Sequence, residues 1–151
     1  VCVLAQLHGL RYCPMLSNLG LLLLRHLSEE QTFAVLESLL KDSREEWFQR
    51  ACRQAQSRVS PRLTLPAFLA FVNTFQDILE DRHSKLAVHL ESLGGGTFSF
   101  YGSWFRSFFV GWLPSEDTFK VVDCYLSEGP KVLIRFGVAF LKLCAKDLIK
   151  C

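Results

Sequence analysis

The chain has 151 residues, half of them hydrophobic, enough for one domain with a sizeable core. Seventeen Lys and Arg against fifteen Asp and Glu leave a formal charge of +2, a balance that announces no nucleic-acid partner. The six cysteines, Cys2, Cys13, Cys52, Cys124, Cys144 and Cys151, include no C-x-x-C and no histidine at ligand spacing, so they read as reduced thiols in a cytosolic protein and imply neither a metal site nor a disulfide framework.

Apolar residues recur at helical spacing along the chain, and no stretch alternates with period two, so the predicted fold is all-α. Val1 to Leu7 reads as a short helix ended near Gly9. Met15 to Leu27 is the next, with Pro14 fixing φ at its first turn, where the missing N–H is no loss. The uncharged run from Tyr12 to Leu24 is 13 residues, well short of the roughly 20 needed to span a bilayer, and is expected to be a core helix. Ser28 caps a third helix with Glu29 and Glu30 in its first turn and Phe33, Leu36, Leu39 and Leu40 as its apolar stripe. Ser43 starts a fourth, carrying Trp47, Phe48, Ala51 and Ala55. Residues 57–63 supply turn chemistry, and Pro66 restarts a helix whose Phe68, Leu69, Val72, Phe75, Ile78 and Leu79 continue to Leu93, where Gly94 to Gly96 stop it.

Phe98 to Phe109, dense in aromatic residues, reads as a deeply buried helix. Ser115 caps another, running to Glu128 before Gly129. Pro130 opens the last, with Val132, Leu133, Phe136, Phe140 and Leu143 facing inward and Lys131, Arg135, Lys142, Lys146 and Lys150 on the opposite side. The expectation is a bundle of about eight or nine helices with no sheet. No internal repeat is evident.

Few constellations carry chemistry. Lys131, Arg135, Lys142 and Lys146 form a basic row that could rest on an anionic membrane or an acidic partner, although such a row is more often simply a solvated face. Arg44, Arg50, Arg53, Arg58 and Arg62 are a second accumulation, weakened by Glu45 and Glu46. His8, His26, His83 and His89 share no face and no carboxylate pair, so they read as structural. "LGGGTF" lacks the frame of a phosphate loop, and Asp123 with Glu128 lacks a third group to make an acid and base of them. No catalytic residue, metal ligand or cofactor site is assigned.

Three segments in order, "HLESL" at 89–93, "WFRSFFVGWLP" at 104–114 and "VVDCYLSEGPKVLIRFGVAFLKL" at 121–143, resemble the closing helices of the TBC domain, the family that activates Rab-type GTPases. Trp104, Phe105, Phe109, Leu113, Pro114, Asp123, Leu126, Glu128, Gly129, Lys131, Val132, Leu133 and Arg135 fall on the family pattern, while Val122 stands where it usually has Trp. "ACR" at 51–53 and "FLAFVNTFQDIL" at 68–79 are similar to the divergent subgroup in which a TBC domain is joined to a TLDc domain. The resemblance implies that residues 1–151 are a partial TBC-like domain within a longer protein, its N-terminal part preceding Val1.

The same resemblance gives "YCPMLSN" its meaning, because it lies where the family usually reads Tyr-x-Gln-Gly-Met-Asn. Pro14 then occupies the position of the glutamine whose amide orients the hydrolytic water. A proline side chain has no amide. The family's arginine finger, a device worth on the order of 10³ to 10⁵ in rate, would belong before Val1. The implied function is a catalytically impaired module that binds small GTPases of the Rab or Arf type in vesicle traffic. Its partner contacts would lie at Arg11, Tyr12, Cys13 and Pro14, and an anionic membrane would be met by Lys131, Arg135, Lys142 and Lys146. The implied location is cytoplasmic, peripheral on vesicle or endosomal membranes. An active GTPase-activating protein using other residues and a structural adaptor stay open as alternatives.

Overall fold

The structure, a computed structural model, describes residues 1–10, 13–41, 48–49, 52, 66–93 and 97–149. Seven helices are formed among them: α1 (Cys2–Leu7), α2 (Pro14–Leu23), α3 (Glu29–Lys41), α4 (Pro66–Ser92), α5 (Thr97–Ser107), α6 (Ser115–Glu128) and α7 (Lys131–Leu148). There is no strand among the described residues, only one isolated bridge between Val110 and Leu113. The all-α expectation therefore holds. Most of the fourth expected helix lies outside the described residues, although Phe48, Gln49 and Cys52 are helical. Gly94 to Gly96, the arginines at 44, 50, 53, 58 and 62, Lys150 and Cys151 also lie outside them.

Helix α2 is the centre of the assembly, packing against α3, α5 and α6, while α4 packs against α5 and α7, and α6 against α7. Its composition explains the position. Met15, Leu16, Leu19, Gly20, Leu22 and Leu23 are all buried, leaving little polar surface to face water. Pro14 occupies its first turn, as its fixed φ allows. The helix ends at Leu23 rather than Leu27, and Leu24 to His26 form a turn. Ser28 then caps α3 through a reciprocal pair: its hydroxyl accepts from the Gln31 amide at 3.2 Å, and its own amide donates to Gln31 Oε1 at 3.0 Å.

Three further expectations are corrected. α5 stops at Ser107, and Phe108 and Phe109 turn left-handed at φ 52° and 62°. Non-glycine residues pay roughly 1–2 kcal/mol each for that conformation, which full burial of both rings offsets. Pro114, not Ser115, holds the N-cap position of α6, and the Ser115 hydroxyl instead accepts from Arg25 at 2.7 Å. Leu143 is 80% exposed: it falls beyond the edge of α7's buried stripe of Val132, Leu133, Gly137 and Leu141. Helix α4 also bends, at His83 (φ −141°, ψ 48°), where the apolar repeat weakens.

The core of the C-terminal part is built from rings. Trp104 lies within 6.0 Å, centroid to centroid, of Phe100, Tyr101, Phe109, Trp112 and Phe140. Phe75 reaches from α4 to Tyr101 and Phe105 in edge-on contacts at 4.8 and 5.2 Å, the geometry that ring quadrupoles favour. Burial, helped by the charge of Glu80, pushes the Tyr101 hydroxyl up to about 12.

Candidate functional site: the turn into α2 and a basic helix face

Of the four residues expected at the docking turn, Arg11 and Tyr12 lie outside the described residues. The structure places the other two at the entrance to α2. Cys13 is its N-cap residue, buried, with an extended backbone (φ −140°, ψ 89°) and a carbonyl that accepts from the Ser17 amide at 3.2 Å. Pro14 follows at the first helical position, half-buried. One turn further along, Asn18 is also half-buried and carries a carboxamide. The helix that Cys13 and Pro14 open packs against α3, α5 and α6.

Cys13 has a partner that its spacing did not reveal. Cys52, 39 positions later, is a buried neighbour in the same core. Hydrogen bonding with that thiol, which outweighs the opposing effect of burial, and then with the amides of Leu16 and Met15, draws Cys13 below the usual thiol range. Cys52 is pushed strongly upward by the same hydrogen bond and by burial. No sequence signal of metal or disulfide type marks two cysteines so far apart.

The basic row forms a second, separate surface on α7. Lys131, Arg135, Lys142 and Lys146 are all exposed. Arg135 is not free: it reaches across the α6–α7 connection to Glu128 at 2.8 Å. This explains Glu128 without a catalytic role. Leu143 and Ile149, 80% and 50% exposed, accompany the cations. Between α6 and α7 lies an open groove of about 320 Å³ lined by Lys120, Cys124, Arg135, Phe136 and Ala139 among others.

Two of the histidines have structural partners. His26 stacks on Phe119 at 3.9 Å, and a ring nitrogen of His89 meets the Leu148 carbonyl at 2.8 Å. Among the described residues no three His, Cys, Asp or Glu side chains are grouped as metal ligands, and no helix is long and apolar enough to cross a membrane.

The described residues thus form an all-α bundle with a buried Leu-rich helix entered through a Cys-Pro turn and with aromatic closing helices. The Rab-GTPase-TBC domain family model matches residues 2–149, and the chain belongs to that family. It is 25% identical over 139 residues to the Rab GTPase-activating protein eat-17 of Caenorhabditis elegans, covering 92% of this chain and 14% of that protein. It is 28% identical over 139 residues to the Rab GTPase-activating protein tbc-11 of the same organism, with the same coverage of each. TBC1 domain family member 2B of Mus musculus is 33% identical over 76 residues, 50% of this chain and 8% of that protein. The chain thus spans only a small part of the relatives it matches. No solved structure gives a significant match.

Proposed function

We propose that this chain is the portion of a TBC domain that docks a small GTPase of the Rab type, and that it does so without accelerating hydrolysis. The observation that carries the reading is Pro14 at the first turn of α2, aligned with the family's glutamine: its ring can neither donate a hydrogen bond to water nor accept one from it. Partner choice would instead rest on shape and charge around Arg11 to Pro14. Family membership and the names of the relatives support a Rab partner, a role in vesicle traffic follows from that partner, and an Arf-type GTPase is the looser extension of the same reading. The kinship with the TLDc-joined subgroup rests on residues 51–53 and 68–79. A peripheral position on cytoplasmic vesicle membranes would be served by Lys131, Arg135, Lys142 and Lys146.

A second reading has a specific observation in its favour. Asn18 offers a carboxamide one turn from Pro14, and the relatives eat-17 and tbc-11 carry the name of GTPase-activating proteins. Single-turnover GTP hydrolysis on a panel of Rab and Arf proteins separates the two. The docking reading expects selective binding with phosphate release within about twofold of the intrinsic rate, and a gain on Pro14→Gln only if an arginine finger is supplied. Brisk release that is lost on Asn18→Ala establishes the second reading, and binding to no GTPase in either nucleotide state defeats both in favour of an adaptor.

A further inference from the structure

The aliphatic edge of α1 to α3 is a surface that neither the docking turn nor the basic face of α7 uses. Val3 and Leu7, one turn apart on α1, are 59% and 65% exposed, and Leu21 and Leu24, one turn apart at the end of α2, are 61% and 45% exposed. Val3 and Leu24 line one groove of about 310 Å³ together with Val1 and Phe33, and Leu7 and Leu21 carry the same apolar surface one turn further along their helices. Large aliphatic side chains grouped in this way on the outside of a fold mark a contact surface. A hydroxyl in the wall of the groove supports the same conclusion. Thr32 and Thr118 are the buried polar side chains among the described residues. Thr118 donates its hydroxyl hydrogen to the Pro114 carbonyl of its own helix entrance at 3.0 Å, whereas the Thr32 hydroxyl, in a residue only 4% exposed, has no partner. A buried hydroxyl left unmet costs free energy that an incoming polar group restores.

We propose that this edge is the seat of the polypeptide that runs into Val1 in the full-length protein. That segment lays apolar side chains over Val3, Leu7, Leu21 and Leu24 and gives the Thr32 hydroxyl its hydrogen-bond partner. Two observations select this occupant. Val1 holds the N-cap position of α1 and itself lines the groove, so a residue joined to it emerges at the groove and reaches it without a linker. The relatives eat-17 and tbc-11 are also far longer than this chain, since the 139 aligned residues are 14% of each. A second copy of the chain or a separate protein would lose translational and rotational freedom on binding here, whereas a covalently joined segment meets the groove at the high effective concentration of an intramolecular contact.

The two ends of α2 then have different tasks. Its entrance, with Pro14 and Asn18 half-buried, stays open for a partner, while its far end at Leu21 and Leu24 is braced by the segment. The inference rests on the reading of residues 1–151 as part of a longer domain, and it is independent of what the turn at Pro14 binds.

The test is hydroxyl-radical footprinting of the full-length wild-type protein, read by mass spectrometry against the same protein unfolded in urea. Val3, Leu7, Leu21 and Leu24 are expected to be oxidised as little as the fully buried Leu16 and Leu19. Oxidation of the four in proportion to the exposures given above overturns the covered edge, and no variant has to fold for the result to count. A photocrosslinking amino acid in place of Leu24 then identifies what lies on it. A cross-link to a peptide from before Val1 is expected; a cross-link to a peptide from after Cys151, or between isotopically distinct copies of the protein, overturns the occupant. Thr32→Val in the full-length protein is expected to lower the urea midpoint, because a hydroxyl with a partner is lost, whereas a raised midpoint, the result for a hydroxyl without one, overturns the pairing at Thr32. Absence of Rab binding by a protein whose edge is protected falls on the docking reading alone.

Discussion

The two ends of the chain bury their apolar surface by different means. From α5 to α7 the core is a mesh of rings around Trp104, closed enough that Phe105, Phe108 and Phe109 show no surface. From α1 to α3 it is aliphatic, and its edge stays open: Val1, Val3, Leu7, Leu21 and Leu24 are between 42% and 65% exposed around a fully buried Leu16 and Leu19. Flat rings held by several neighbours leave no room to adjust, while branched aliphatic chains next to solvent can move aside. The candidate docking turn lies in the second, more forgiving region, although the α2 backbone that carries it is anchored in the first through α5 and α6.

The comparison is tested most severely by truncation. Trp104→Ala removes the ring that five others contact, and is expected to cost about 3–5 kcal/mol in urea unfolding. The equivalent cut in the aliphatic end, Leu19→Ala, is expected nearer the lower limit of roughly 2 kcal/mol, because the surrounding side chains can collapse into the space. Equal losses would erase the distinction.

A finer contrast comes from the same substitution at two glycines. A Cβ on Gly137 would lie 2.8 Å from Phe75 Cε2, and Phe75 is wedged between Tyr101 and Phe105, so Gly137→Ala is expected to lose about 1 kcal/mol or more despite its better helix propensity. A Cβ on Gly20 meets Val1 Cγ2 at the same 2.8 Å, but Val1 is 42% exposed and can swing away. Gly20→Ala is therefore expected to be neutral or to gain up to about 1 kcal/mol from helix propensity. Thermal unfolding of the two variants side by side measures the sign as well as the size.

Much of the fold was legible because periodicity and caps are local. Pro14, Ser28, Gly9 and Gly129 mark boundaries within a residue or two of where the helices begin or end, for reasons of φ and hydrogen bonding that need no tertiary knowledge. The turn at Phe108 and Phe109 was not legible, because its two left-handed residues are not glycines and their rings are held by contacts that include Tyr125 and Phe136 on later helices. The candidate site divides the same way. The position of Pro14 came from a motif, whereas the meeting of Cys13 with Cys52 and of Glu128 with Arg135 depends on how the chain folds back, which no spacing encodes.

Leu143 isolates this limit on a single side chain and gives the smallest expected effect. Counting from Phe136 and Phe140 by threes and fours places it on the apolar stripe, yet a helix of 3.6 residues per turn drifts, and α7's stripe has moved on to Leu141 and Leu148 by that point. With 80% of its surface in water, Leu143 has little left to lose on unfolding, so Leu143→Ser is expected to change stability by no more than about 0.5 kcal/mol. Leu133→Ser, fully buried ten residues earlier on the same helix, is the control, with an expected loss of several kcal/mol from burying an extra hydroxyl in place of apolar contacts. A large loss at Leu143 in the full-length protein would mean that another part of the polypeptide covers this face of α7. The same variant then bears on membrane contact: binding to phosphatidylserine vesicles that falls on Leu143→Ser with stability unchanged assigns the exposed leucine, with Lys142 and Lys146 beside it, to the lipid surface.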